Sequence, residues 1–303
     1  MLNLLLLLIG FILLIKGADI FVDSSSSIAK RFGIPSIIIG MTIVAMGTSA
    51  PELSVSINSS LAGLNDMSIA NVVGSNIFNL LIALGVSAFF NKLKITNYKD
   101  IFIMLIVSVL LALCAMNGSL SMINGLILLA VFTIYIISMI KQAKDNNEEV
   151  ENEKQKPLLR TIVFGILGLI AIVYGGDLVV DSASAIAMQL GMSENLVGLT
   201  IVAVGTSLPE FVTSVMATRK GELDIAIGNV IGSNIFNILL ILGAASVLSP
   251  MVVTSLALID ILIMILVSII FIVMTYKKKT LGRTQGLFLI AIYIIYIVST
   301  IIR

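Results

Sequence analysis

A twelve-residue motif that occurs twice within long apolar runs constrains the fold of this chain more than any other feature. Residues 41–52 read Met-Thr-Ile-Val-Ala-Met-Gly-Thr-Ser-Ala-Pro-Glu, and residues 199–210 repeat this pattern with nine of twelve positions identical. Each copy is apolar at first, is interrupted by glycine and proline, and ends in a glutamate. A charged side chain at the centre of a membrane-spanning helix costs at least about 2.5 kcal/mol, so two matched glutamates indicate a functional site.

The composition places the chain in a membrane. Of its 303 residues, 58% are hydrophobic and only 12% are charged, whereas a soluble protein carries roughly 25% charged residues. The net charge of +1 argues against a nucleic-acid partner. The chain has no histidine and one cysteine, Cys114, which excludes a disulfide framework and metal sites built from imidazole or thiolate.

Hydropathy predicts an all-α integral membrane protein. Runs of about 20 apolar residues are long enough to cross a hydrocarbon core of roughly 30 Å, and we count ten of them. We interpret the apolar N-terminus as a retained first helix, because it lacks a basic start and a small-residue cleavage site. The ten predicted transmembrane helices are 2–28, 34–62, 68–90, 99–117, 119–141, 159–187, 194–218, 223–247, 251–276 and 283–302.

The basic residues predict the orientation. Sixteen of the eighteen lysines and arginines fall after odd-numbered spans or in the central linker, and the loops after spans two, four, six and eight carry none. Because basic loops stay in the cytoplasm, we expect a multi-pass protein of the plasma membrane with a cytoplasmic linker and both termini extracellular.

The two halves of the chain form an internal repeat. An offset of 158 residues aligns Glu52 with Glu210, and it also aligns Asn-Val-Val-Gly-Ser-Asn-Ile-Phe-Asn at 71–79 with Asn-Val-Ile-Gly-Ser-Asn-Ile-Phe-Asn at 229–237. Each half holds five spans, an odd number, so the repeats must be inverted in the membrane. Inverted repeats with interrupted helices are typical of secondary transporters that bind their substrate at the midplane. We therefore divide the chain into a first repeat (1–141), a linker (142–158) and a second repeat (159–303).

The interrupted helices supply oxygen atoms. Pro51 lacks an amide hydrogen and is expected to free the carbonyl of Gly47, and a cation can satisfy such a carbonyl within the membrane. In the second motif, serine and asparagine four residues apart share a helix face, and Gly74 and Gly232 are expected to let these helices approach the interrupted ones. The candidate side chains are Thr48, Ser49, Glu52, Thr206, Ser207 and Glu210 from the first motif and Ser75, Asn79, Ser233 and Asn237 from the second.

An oxygen-only site favours a hard cation. Ca²⁺ takes six to eight oxygen ligands, Na⁺ competes for similar sites, and Mg²⁺ gives up its water reluctantly. The remaining motif asparagines lie on other helix faces and are interpreted as bonding between helices. These are Asn71, Asn76, Asn229 and Asn234.

The paired Gly-Thr-Ser-x-Pro-Glu and Gly-Ser-Asn-Ile-Phe-Asn motifs resemble the alpha repeats of the cation/calcium antiporter superfamily, in particular its sodium/calcium exchanger branch. The resemblance covers nearly the whole chain. It implies that Glu52 and Glu210 hold Ca²⁺ with help from the main-chain carbonyls of Thr48 and Thr206. It further implies that Na⁺ sites use the positions of Ala45, Ser49, Ser75, Ala203, Ser207 and Ser233, with Asn79 and Asn237 at the centre.

The resemblance implies three-for-one, electrogenic Na⁺/Ca²⁺ exchange by alternating access. We expect no potassium requirement, because potassium-dependent relatives carry aspartate at the position of Asn237. Ca²⁺/H⁺ exchange through the same two glutamates is the alternative, although the proton-coupled branch usually has Gly-Asn-x-x-Glu at this motif. A passive cation pore and a membrane-embedded enzyme are more distant, since pores more often use rotational symmetry and no catalytic motif is visible. We predict no enzymatic activity and no cofactor, and a single chain already contains both repeats and could act as a monomer.

Two acidic regions remain. We interpret the acidic linker as a solvated connection, because it lacks the spacing of a calcium-binding loop. The matched residues Asp19, Asp23, Asp177 and Asp181 are interpreted as wetted interfacial positions, with an ion entrance as the alternative.

Overall fold

A computed structural model describes residues 2–96, 98–145, 157–192, 197, 201 and 203–302. Residues 146–156 of the predicted linker, and several positions between 193 and 202 at the start of predicted span 194–218, lie outside the described residues. The described residues are almost entirely helical. The helices are α1 Leu2–Phe32, α2 Ser36–Thr48, α3 Ala50–Leu61, α4 Asn65–Phe90, α5 Lys99–Ala115, α6 Met122–Asp145, α7 Leu158–Gln189, α8 Ala203–Gly205, α9 Leu208–Arg219, α10 Leu223–Leu248, α11 Ser255–Tyr276 and α12 Arg283–Ile302.

Seven of the described helices are long and apolar enough to cross a membrane, and an eighth span results if α2 and α3 are taken as one bent span. The other two predicted spans fall short of this standard for separate reasons: α5 has only 17 residues, and residues 194–202 lie mostly outside the described part of the chain. Ten spans and an inverted repeat therefore remain predictions.

The surface of the protein is apolar and its polar motifs are buried, as expected for a protein in a lipid bilayer. Large apolar side chains such as Ile123 on α6 (70% exposed) and Ile295 on α12 (68% exposed) point outward. The two helices that carry the second motif, α4 and α10, lie at the centre, and on α10 every residue from Ile225 to Phe236 is buried. The polar motifs therefore occupy the middle of the bundle, away from lipid.

Helices α1 and α7 pack against each other along their length. A Cβ atom added to Gly17 would lie 2.8 Å from the carbonyl oxygen of Gly168, and one added to Gly175 would lie 2.8 Å from the backbone nitrogen of Leu14. Only glycine permits so close an approach of two backbones. The first and sixth predicted spans therefore form a tightly packed pair.

Four short strands depart from the predicted all-α fold. They are β1 Leu93–Lys94, β2 Ser119–Leu120, β3 Met251–Val252 and β4 Thr280–Leu281. Strand β1 pairs with β4 and β2 pairs with β3, both antiparallel. Strands β1 and β4 lie in two loops that were predicted to face the cytoplasm. Strands β2 and β3 instead take up the first residues of predicted spans 119–141 and 251–276, so these helices begin later than predicted, at Met122 and Ser255. In each pair the extended backbone satisfies its hydrogen bonds by pairing. Hydropathy could not have revealed strands of two residues.

Candidate ion-binding site

Both copies of the first motif break a helix at the serine. Ser49 separates α2 from α3 with φ −81° and ψ 8°, and α3 turns away from α2 by 48°. Ser207 precedes α9 with φ −87° and ψ 1°. Each break places a proline and then a glutamate in the first turn of the following helix, where the backbone dipoles stabilise a carboxylate. At the break, Ser49 N–H donates to the carbonyl of Ala45 at 3.0 Å, and Pro51 has no N–H to donate to the carbonyl of Gly47, so a free Gly47 carbonyl stays a prediction.

The two glutamates are fully buried and are held by hydroxyl groups from the opposite motif. Ser49 Oγ donates to Glu210 Oε1 at 2.8 Å, and Ser207 Oγ donates to Glu52 Oε1 at 3.2 Å. Glu52 also accepts from Ser75 Oγ at 3.4 Å, and it experiences the charge of Glu210. The two breaks therefore meet, and each carboxylate belongs to a site formed by both halves of the chain.

Four buried acceptor oxygens at this centre receive no hydrogen bond from any described residue. They are Glu52 Oε2, Glu210 Oε2, Asn79 Oδ1 and Asn237 Oδ1. Asn79 follows Ser75 by one helical turn, and Asn237 follows Ser233, which interacts with Glu210, by one turn. A buried acceptor without a partner costs about 1–3 kcal/mol, and more if it is charged. Two carboxylate and two amide oxygens together are suited to a hard cation.

The described part of the chain does not contain a cluster of the side chains that usually bind metal ions in proteins. Among the described residues there is no group of three or more histidine, cysteine, aspartate or glutamate side chains that could hold a metal ion. The site offers two carboxylates and neutral oxygens, which is the donor set expected for a transported alkali or alkaline-earth ion.

Asn71 and Asn229 brace the site through hydrogen bonds to other helices, which confirms the interpretation made from the sequence. Asn229 accepts from Thr48 Oγ1 at 3.1 Å and donates to the main-chain oxygen of Glu210 at 3.2 Å. Asn71 accepts from Thr206 Oγ1 at 3.2 Å and donates to the main-chain oxygen of Glu52 at 3.4 Å. Each asparagine thus ties the threonine of one break to the glutamate of the other. The 158-residue offset matches these two asparagines, but it does not reveal their hydrogen-bond partners.

The remaining candidates lie at the same centre. Ser75 Oγ lies 2.8 Å from Ser207 Oγ, and Ser233 Oγ lies 3.5 Å from the main-chain oxygen of Ala45. A Cβ added to Gly232 would lie 2.6 Å from the Cα and oxygen of Met41, so the predicted close approach occurs there. Ala203 begins α8, but its side chain lies outside the described residues.

Turns of π-helix begin at the central asparagines, which the sequence did not reveal. They span Asn79–Ala83 in α4 and Asn237–Leu242 in α10, and a third spans Gly40–Val44 in α2. Turns of this kind occur frequently at functional sites, because the extra residue changes which side chains face the interior.

The two sides of the site differ. A cleft of about 450 Å³ runs along α7 beside Asp177 and Asp181 and ends against Pro51, Pro209 and Thr206. On the other side, Lys220 Nζ contacts Asp19 Oδ1 at 2.8 Å and Asp23 Oδ1 at 2.5 Å, and it donates to the main-chain oxygen of Asp19 at 2.8 Å. The four aspartates match by the offset, but only one pair is bridged by a lysine.

Comparisons with known proteins agree with these motifs. The sequence model described as sodium/calcium exchanger protein matches residues 2–141 and 160–302. The chain is 36% identical to the inner membrane protein YrbG of Escherichia coli strain K12, with 96% of this chain and 94% of the relative covered. It is 34% identical to the sodium/calcium exchanger MaX1 of Methanosarcina acetivorans, with 98% and 97% covered.

Solved structures give the same result. A structure of the sodium-calcium exchanger NCX_Mj, soaked with Na⁺ and Ca²⁺, superposes with a TM-score of 0.88 at 33% identity and covers 99% of this chain and 98% of that chain. A family model that spans nearly the whole chain and a full-length structural match agree, and the chain belongs to the sodium/calcium exchanger family.

Proposed function

We propose that this protein is a secondary antiporter that exchanges Na⁺ for Ca²⁺ across the plasma membrane. The observation that carries this proposal is the set of four buried oxygens without a hydrogen-bond donor, on Glu52, Glu210, Asn79 and Asn237. Two carboxylates neutralise one Ca²⁺ ion, and three Na⁺ ions in its place leave the site with one positive charge. The exchange is therefore electrogenic, and one charge crossing 100 mV contributes about 2.3 kcal/mol.

We assign an ion-binding role to all twelve predicted residues. Glu52 and Glu210 hold Ca²⁺ with the main-chain oxygens of Thr48 and Thr206, and the other positions supply the Na⁺ sites. These are Ala45, Ser49, Ser75, Asn79, Ala203, Ser207, Ser233 and Asn237. The amide of Asn237 leaves two carboxylates in the cluster, so transport proceeds without K⁺.

In this proposal the protein consists of two inverted repeats of five spans, residues 1–141 and 159–303. A cytoplasmic linker joins the repeats, and both termini are extracellular. Hydrogen bonds that recur at the 158-residue offset, such as Ser49 to Glu210 and Ser207 to Glu52, support two equivalent halves. One chain supplies both halves of the site and acts as a monomer.

Alternating access is supported by the difference between the two sides. The cleft beside Asp177 and Asp181 approaches the glutamates from the predicted extracellular side, because these residues lie toward the predicted outer end of α7. The matched cytoplasmic approach is closed by Lys220. This difference supports an outward-facing, occluded state, and transport requires the two sides to exchange their roles.

The test is Ca²⁺ uptake into proteoliposomes that are loaded with Na⁺ and diluted into Na⁺-free buffer at fixed pH. We expect uptake that depends on the Na⁺ gradient and is abolished by Glu210→Gln, which keeps the shape of the side chain but turns an N–H group toward the ion. A Thr133→Ala variant, on the exposed face of α6, is the matched control and should transport normally. Uptake driven only by a proton gradient would establish Ca²⁺/H⁺ exchange instead.

A further inference from the structure

The amide groups of Asn79 and Asn237 must face the ion with the correct atom. The amide oxygen attracts a cation, whereas the amide nitrogen carries two N–H groups that repel it and attract the glutamates. Oxygen and nitrogen are nearly indistinguishable by shape, so the orientation has to follow from the hydrogen-bond network. In this protein the network determines it without ambiguity.

Two neighbouring asparagines are fixed by acceptors that cannot donate. Asn76 Nδ2 donates to the main-chain oxygen of Asn234 at 3.1 Å, and Asn234 Nδ2 donates to the main-chain oxygen of Asn76 at 3.1 Å. Their second hydrogens face sulfur atoms, Met264 Sδ at 3.5 Å and Met104 Sδ at 3.6 Å. Carbonyl oxygens and thioether sulfurs only accept, so both side chains must present nitrogen to them.

The orientation of this first pair dictates that of the second. With their nitrogens engaged, Asn76 and Asn234 turn their Oδ1 atoms toward Asn237 and Asn79. Because an amide oxygen only accepts, Asn237 Nδ2 donates to Asn76 Oδ1 at 3.0 Å and Asn79 Nδ2 donates to Asn234 Oδ1 at 3.1 Å. The oxygens of Asn79 and Asn237 are thereby left for the ion, and they are the two buried amide oxygens without a donor.

We propose that Asn76 and Asn234 are positioning residues that set the cation selectivity of the site. They hold the amide oxygens of Asn237 and Asn79 toward the ion and keep N–H groups away from it. This proposal deepens the proposed function and rests on it, since it concerns the same cation site. A purely structural role, in which the four asparagines only join α4 to α10, predicts lower stability without a change in ion affinity.

A double-mutant cycle separates the two roles. Asn76→Ala removes the acceptor of Asn237 but keeps the main-chain oxygen that anchors Asn234, so Asn79 stays oriented. The released amide of Asn237 can rotate and donate to a glutamate, in competition with the cation. If Asn76 acts through Asn237, its removal has an effect only while the Asn237 amide is present.

The measurement is the dissociation constant for Ca²⁺ alone, determined by isothermal titration calorimetry on monodisperse detergent-purified protein. We expect Asn76→Ala to raise it about tenfold in the wild-type background and by less than about twofold in an Asn237→Ala background. In the matched control, Asn76→Ala should keep its full effect in an Asn79→Ala background, because Asn79 is held by Asn234.

Equal effects of Asn76→Ala in all three backgrounds, or an unchanged dissociation constant with a smaller fraction of folded protein, would overturn the proposal. If Asn76→Ala does not yield folded protein, the reciprocal cycle of Asn234→Ala with Asn79→Ala tests the same mechanism, since Asn234→Ala keeps the carbonyl that anchors Asn76. Ca²⁺ binding by wild-type protein that shows no Na⁺-driven uptake would refute the proposed exchange but leave this test valid.

Discussion

Removing the lysine at position 220 should shift the protein away from the proposed outward-facing state. Lys220 bridges Asp19 and Asp23 on the side of the site that is closed, whereas the matched Asp177 and Asp181 line an open cleft. The residue that aligns with Lys220 at the 158-residue offset is Ala62, which is exposed and cannot form such a bridge. The bridge therefore stabilises closure on one side only, and this asymmetry is measurable.

The contribution of the bridge follows from its exposure. The side chains of Lys220, Asp19 and Asp23 are 21%, 39% and 55% exposed, so solvent screens both ion pairs. Partly exposed pairs contribute about 0.2–1 kcal/mol each, and the hydrogen bond to the main-chain oxygen of Asp19 adds about 0.5–1 kcal/mol. Because one ammonium group makes all three contacts, their contributions do not add fully. We expect a total of about 1–2 kcal/mol, which corresponds to a factor of about 5–30 in the ratio of the two states.

The assay compares the two faces of the membrane. An apparent dissociation constant equals the intrinsic one divided by the fraction of protein in the competent state. Lys220→Ala should therefore lower the KM for Ca²⁺ at the cytoplasmic face relative to the extracellular face by about 5–30-fold. The two values come from inside-out and right-side-out vesicles that contain the same protein. Raising the salt concentration should shrink the difference between wild type and variant, because screening weakens the bridge.

The mirror-image variant provides the control. Ala62→Lys places a lysine at the position that matches Lys220 in the other half of the chain. This variant should shift the KM ratio in the opposite direction. If both variants leave the ratio of the two KM values within twofold of wild type, the bridge does not hold the closed side and the reasoning is refuted.

The pH dependence of the bridge has a definite sign. Burial lowers the pKa of Lys220, but hydrogen bonds and charges from Asp19 and Asp23 outweigh burial, so the pKa lies above the ordinary lysine value. A raised pKa means that the contribution is complete below about pH 10 and is lost only as pH rises through the raised pKa. The KM ratio should therefore not change between pH 6 and 9 through this group.

Three further predictions concern the site. Ser49→Ala should raise the Na⁺ concentration for half-maximal exchange several-fold and change the KM for Ca²⁺ by less than about threefold, because it removes a proposed Na⁺ ligand but no carboxylate; uptake titrations of both ions check this. Replacing K⁺ by choline should leave wild-type uptake unchanged, since Asn237 is an amide, and a K⁺ requirement would contradict the assignment. Gly232→Ala should lower thermal stability by about 1–3 kcal/mol, because the new Cβ would lie 2.6 Å from Met41. A thiol-reactive dye that reports exposure of the buried Cys114 can follow its unfolding. An equal shift for Gly282→Ala, whose new Cβ would lie 4.0 Å from the nearest described atom, Gln285 Oε1, would contradict the steric argument.

Hydropathy and the 158-residue repeat predicted most of the described helices and identified the residues of the candidate site, because burial of apolar runs and placement of breakers are local properties. The break at Ser49 and the burial of both glutamates were predicted in this way. The start of α4 at Asn65, three residues before the predicted start, and the two-residue strands were not, since loop pairing and helix ends depend on neighbours in space.

The partners of each side chain could not be predicted from spacing. Ser49 lies three residues before Glu52, yet its hydroxyl donates to Glu210, 161 residues away. Likewise, the orientation of Asn237 depends on Asn76, on a different helix. Such contacts depend on how the helices of the two halves pack against each other. A sequence repeat implies that the halves are similar, but it does not say which residues of one half contact which residues of the other.

The departures from the repeat carry as much information as the repeat itself. Two equivalent halves would make an outward-facing and an inward-facing arrangement equal in energy, because exchanging the roles of the halves would convert one into the other. Residues that match by the offset but differ in type make the two energies unequal. Lys220, which matches Ala62, is one such residue. The residues that we propose to hold the ion are instead identical in the two halves, so the ion contacts themselves need not favour either side. Under the proposed function, the ion affinity therefore resides in matched positions, and the resting preference between the two states resides in unmatched ones.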